Sequence, residues 1–168
     1  LEIPPNTPEA ELIYACVSSG ILGLFVKWYN DKLPLELAMP LRRSYGDVAL
    51  EVLKANPYLL VGEEFGVEFS LADGLALSLD VGAEDPQRLE AGLLFELSHN
   101  LNNGHTFLPH RKLVEATGVL LDVPGDLLEE CLDALTRRGE VEQEEVAGQE
   151  AVYLPSLYEA ETFIAHRI

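Results

Sequence analysis

Apolar residues recur at helical spacing along most of the chain. Leu12, Ile13, Cys16 and Val17 form one stripe. It follows Thr7-Pro8-Glu9, where a hydroxyl cap, a proline in the first turn and an early acid read as a helix start. Gly20 ends that helix, and Gly23 precedes a short apolar stretch from Leu24 to Tyr29. A third helix is predicted from Pro34 towards Arg43, beginning or kinking at Pro40, because proline removes a helical hydrogen bond. Asp47 is predicted to cap "VALEVLKA", which stops at Asn56-Pro57, where the residue before proline avoids the helical region. Tyr58 to Glu64 reads as one short helix. Ser70 is the predicted cap of "LADGLALSL", closed by Gly82.

The pattern changes after "GAEDPQ". Pro86 opens a longer helix with Leu89, Leu93, Leu97 and Leu101 at four-residue spacing. A short strand is predicted around Thr106 and Phe107, then a helix from Pro109 through Val114, with "TGVLLDVPG" as a connector. Asp126 is predicted to cap a helix whose core face holds Leu127, Leu128, Cys131, Leu132 and Leu135. Two extended runs around Ala147-Gly148 give a hairpin signal, and a last helix starts near Pro155. Helix, strand, helix, helix, hairpin is the order of a winged-helix domain. The predicted fold is therefore mostly α. Residues 1–83 form a helical region with helix-hairpin-helix motifs, and residues 84–168 form a winged-helix-like segment with a small β-hairpin.

The chain of 168 residues is 48% hydrophobic, enough for one large core or two small ones. It has no run of about 18 apolar residues and no signal-peptide pattern, so no membrane partner is expected. The lack of an initiator methionine and the helical pattern running to Ile168 lead us to expect a piece of a longer chain. Cys16 and Cys131 each sit in an apolar stripe, which points to buried thiols and a cytoplasmic setting. The formal charge of −18 repels nucleic acid from the chain as a whole, and only eleven Lys and Arg are available to build a basic patch.

The chemistry centres on "EEFGVEFSLADGLALSL". A helix-hairpin-helix turn uses a glycine-X-glycine tip so that backbone N–H groups reach a phosphate oxygen beside the positive end of the second helix. Gly66, Ala72 and Leu75 fit the spacing, while Glu68 stands where the second glycine belongs and opposes a phosphate. A working grip and a packing corner both remain open. Arg42, Arg43 and Lys54 are the best basic cluster, read either as a phosphate contact or as a solvated face. The third helix of the winged-helix segment turns Asp126, Glu129, Glu130 and Asp133 outward, and its wing carries Glu140, Glu142, Glu144 and Glu145, which favours packing or protein contact over DNA. His99, His105 and His110 match no zinc spacing. No phosphate loop, nucleophile elbow or H-E-x-x-H occurs, so no catalytic, cofactor or metal residue is assigned.

Several short pieces, taken in order, resemble the N-terminal region of RecD-like DNA helicases (the RecD/TraA family). They are Tyr45-Gly46-Asp47, Asn56-Pro57-Tyr58, Asp85-Pro86, Gly104-His105-Thr106, Leu108-Pro109 and Tyr153-Leu154-Pro155 with Leu157-Tyr158. The resemblance covers residues 33 to 168. It implies helix-hairpin-helix units, a winged-helix-like segment and a helicase core past Ile168 that binds ATP and Mg. Gly66, Val67 and Phe69 match the family's hairpin, while Glu68 and Ser70 depart from it. The function this implies is a non-catalytic accessory region of an ATP-dependent helicase in DNA recombination or repair. It would contact single-stranded or forked DNA through Arg42, Arg43, Lys54 and Gly66 to Phe69, or position its own helicase core. The alternative is an acidic protein-interaction module that docks on the motor or on a basic partner.

Overall fold

The computed structural model describes residues 37–62, 64–101 and 104–165. The helices expected at Thr7 and from Leu24 to Tyr29, and Cys16 with them, lie outside the described residues. Contacts divide the chain into two units, Leu1–Asp80 and Val81–Ile168.

In the first unit, α1 (Ala38–Tyr45) runs into a 3-10 turn (Gly46–Val48) and then α2 (Ala49–Ala55). The helix α1 begins two residues before Pro40. Pro40 occupies the first turn, where its missing N–H would have had no helical partner. Asp47 falls inside the 3-10 turn, so α2 starts after Val48 without a side-chain cap. Asn56 ends α2 and accepts a hydrogen bond from the Tyr58 N–H at 3.0 Å, which starts a second 3-10 helix, Pro57–Val61. Then comes α3, Phe69–Ser78. Leu41, Leu53, Leu60, Ala72 and Leu75 are buried, each buried leucine contributing about 2 kcal/mol. Tyr58 stacks on Phe69 with ring centroids 5.8 Å apart. That packing draws Phe69 into the helix, so α3 begins one residue before Ser70, after Glu68, and Ser70 caps nothing.

The second unit is α4 (Pro86–Leu101), β1 (Leu108–Pro109), α5 (His110–Leu121), α6 (Gly125–Arg138), β2 (Glu142–Val146), β3 (Gln149–Tyr153) and α7 (Pro155–Ala165). The three strands are antiparallel in the order β1-β3-β2, with Leu108 opposite Val152 and Glu142 opposite Tyr153. Ala147 and Gly148 both have positive φ, 54° and 78°, which gives the tight hairpin turn that matches strand twist. Ala151, Val152 and Tyr153 are all buried, so both faces of the end of β3 are covered, while the outer strand β2 buries none of its residues and carries glutamates that discourage edge pairing.

The helix predicted to end at Val114 is longer than its residue pattern suggests. The helix continues to Leu121 because Leu113, Val114, Thr117 and Leu121 form one buried stripe against α4 and α6. The strand expected at Thr106 and Phe107 lies two residues later. Asp126 sits in the first turn of α6, and Pro124 takes the cap position. Arg138 closes the far end of α6. Its guanidinium forks onto Glu90, at 2.7 and 3.0 Å, and reaches Glu140 at 2.6 Å. The hydrogen bonds to Glu90 and then Glu140 hold Arg138 above its ordinary value.

Candidate nucleic-acid interface

The turn between the 3-10 helix and α3 is closed by the backbone. The Phe65 and Gly66 N–H groups both donate to Gly62 O, at 3.1 and 2.9 Å, and the Val67 N–H donates to Leu60 O at 3.0 Å. Gly66 has φ +61°, a left-handed conformation that favours glycine, and a Cβ added there would meet nothing within 4 Å. The dihedral favours glycine here, and the missing side chain leaves the tip open. Val67 and Phe69 point inward, 7% and 4% exposed.

Glu68 is exposed, with φ −59° and ψ 138°, values open to any L residue. The position therefore has no conformational need for glycine. Its carbonyl accepts from the Leu71 and Ala72 N–H groups, at 3.0 and 3.2 Å, and starts α3. The Glu68 and Ser70 N–H groups have no acceptor among the described residues. They are the amides left for an anion, beside the positive end of α3. Glu64 and Glu68, both exposed, flank them. A phosphate in contact would lie well within the screening length of about 10 Å at 0.1 M salt, so those carboxylates oppose it.

The structure brings part of the predicted basic cluster to this turn. Tyr45 stacks on Phe65 at 6.1 Å, and the Ser44 hydroxyl donates to a Glu64 carboxylate oxygen. The end of α1, with exposed Arg43, therefore lies alongside the hairpin. Arg43 has no ion-pair partner among the described residues. Arg42 lies on α1, and its side chain is outside those described. Lys54 is in the last turn of α2, a favourable place against that helix's dipole, and nothing described joins it to the turn. The Tyr45–Phe65 stack has no signal in the residue pattern, since the pairing depends on how α1 and the turn meet.

The outward face of α6 is acidic, as its periodicity predicted. Asp126, Glu129, Glu130 and Asp133 are exposed, as are Glu144 and Glu145 on the hairpin. His99 stacks on Phe95, the His105 N–H donates to Asn100 O, and His110 Nε2 lies 2.9 Å from Glu129 Oε2. Among the described residues, no three His, Cys, Asp or Glu side chains converge as a metal would need, and no helix is long and apolar enough to cross a membrane.

A short helical element, a glycine turn with an open tip, and a second helix with a buried alanine in its second turn define a helix-hairpin-helix unit. Residues 23–107 match the family described as the ATP-dependent RecD2 DNA helicase HHH domain. The chain belongs to that family and is an N-terminal region of a RecD-like helicase.

Proposed function

We propose that this chain is a non-catalytic accessory region of an ATP-dependent DNA helicase acting in recombination or repair in the cytoplasm, and that its hairpin serves mainly as a packing corner with a weak phosphate contact. The observation that carries this reading is the closed turn. The Gly66 and Val67 amides are already bonded within the protein, and the open amides at Glu68 and Ser70 sit among carboxylates. The sequence contains no phosphate loop, so ATP and Mg are assigned to the helicase core rather than to this chain. DNA, single-stranded or forked, would meet the turn through Arg43 and the open amides, with Arg42 and Lys54 adding charge from α1 and α2.

A second reading draws on the acidic surface of α6 and the hairpin. That surface supports a winged-helix arrangement used for protein contact, since carboxylates at those positions repel phosphate.

Fluorescence anisotropy with single-stranded and forked oligonucleotides tests the DNA contact. Binding should be weak and lost with added salt. Glu68→Gly should change affinity by no more than about threefold, since removing one exposed charge is worth under roughly 1 kcal/mol. Absence of binding even at low salt would sink the DNA contact. A gain of about a hundredfold would show a competent grip merely blocked by Glu68.

A further inference from the structure

We propose that the groove between α5 and the start of α6 docks a basic protein segment, an interaction surface separate from the hairpin. The groove has a volume of about 680 Å³. Its apolar lining comes from Val114, Val119 and Val123, and Val119 is 81% exposed on the face of α5. Two glycines shape it. A Cβ at Gly118 would press on Val123 O at 3.2 Å, and one at Gly125 on a Val114 methyl at 3.1 Å. The chain leaving α5 can therefore fold back tightly and leave a concave strip rather than a filled corner.

Charge identifies the occupant. Glu115 and Asp122 border the groove, are exposed, and have no cation partner among the described residues. Glu129, on the opposite wall, is held by His110. Exposed Asp126 and Glu130 continue the acidic surface along α6. Arg111 supplies the only full positive charge in the lining, at the N-terminal end of α5. An apolar side chain seated on Val119 would shield Glu115 and Asp122 from water, and a lysine or arginine on either side of it would supply their missing partners. A nucleic acid would bring phosphates to the same carboxylates. A second copy of a chain with formal charge −18 would bring more negative charge. The fitting occupant is a segment with one aliphatic side chain flanked by basic residues.

The test is amide chemical-shift mapping of the full 168-residue chain with two blocked peptides, Lys-Lys-Leu-Lys-Lys and Lys-Lys-Ser-Lys-Lys. The leucine peptide should shift Gly118, Val119, Val123 and Gly125 and bind at least about fivefold tighter than the serine peptide. Val119→Glu should erase that preference. Glu115→Gln with Asp122→Asn should weaken both peptides about fivefold or more. These positions are exposed, and asparagine tolerates the left-handed φ of 56° at Asp122, so the variants keep the fold. Equal binding of the two peptides, or shifts centred on Glu142–Val146, would overturn the proposal by showing only diffuse attraction to acid.

Discussion

The Tyr58 hydroxyl donates to Asp73 Oδ1 at 2.8 Å, joining the element before the hairpin to the middle of α3. Tyr58 is buried, and its ring stacks on Phe69. The hairpin is thus braced beneath its tip by one polar and one aromatic contact, and the open dihedral at Gly66 can rest on a fixed base. Tyr58→Phe keeps the stack and removes one donor from the half-buried Asp73 carboxylate. The expected loss is about 1–2 kcal/mol, read as a lower urea midpoint with an unchanged m-value. An unchanged midpoint would show that Asp73's remaining contacts and water satisfy it as well as Tyr58 does.

Gly92 of α4 lies against Leu121 and Thr117 of α5. An added Cβ would lie 2.7 Å from Leu121 Cδ1 and 3.2 Å from Thr117 Cγ2. Leu121 is buried, so it has little room to turn away. Alanine improves helix propensity by up to about 1 kcal/mol, while overpacking costs about 1–3 kcal/mol. Gly92→Ala should therefore lower stability by roughly 1 kcal/mol, measured by thermal or urea unfolding. A stabilised variant would mean that the two helices part without penalty.

The Thr117 hydroxyl, on the same contact, is fully buried and has no hydrogen-bond partner among the described residues. Thr117→Val keeps the branched shape and replaces the stranded hydroxyl with a methyl group. Stability should rise by about 1 kcal/mol, visible as a higher midpoint in the same assay. A fall would show that the hydroxyl has an unseen water or backbone partner.

Much of this arrangement was legible in the residues, and the misses share a cause. Leu89, Leu93 and Leu97 announced α4, and Leu128, Cys131, Leu132 and Leu135 announced α6, because a buried helical face needs only periodicity to be read. Ala147-Gly148 marked the hairpin through its need for positive φ. The stretch after Val114 was misread because Thr117, Gly118 and Val119 have weak helix propensity. Packing of Thr117 and Leu121 against Gly92 overrides that preference. The caps failed for a similar reason. Asp47 and Ser70 are suitable cap residues, yet burial of Phe69 beneath Tyr58 sets where α3 begins. At the candidate site, the opposing charge of Glu68 was plain from the sequence. The closure of the turn was not, because the bond from Val67 to Leu60 exists only once the chain has doubled back.

Cys131 links this packing to pH. Burial raises its thiol above the ordinary range, Glu90 and Glu130 raise it further, and Arg138 opposes them. The folded protein therefore favours the neutral thiol more than the unfolded chain does. The resulting stability is fully present below the unfolded value of about 8.5 and is lost as pH rises through the higher folded value. Tyr153 shifts in the same direction, chiefly by burial and then through Glu161, and acts from about pH 10 upward. Between about pH 8.5 and 10 the Cys131 contribution should dominate this pair. In a Cys16→Ser background, the urea midpoint should fall across that window, and the fall should be smaller in a further Cys131→Ala variant. Iodoacetamide at pH 8 should label folded Cys131 at least about tenfold more slowly than the urea-unfolded chain, since the thiolate is the reactive form. Equal labelling rates would mean that α6 opens readily at this position and that the buried thiol contributes nothing to the pH dependence.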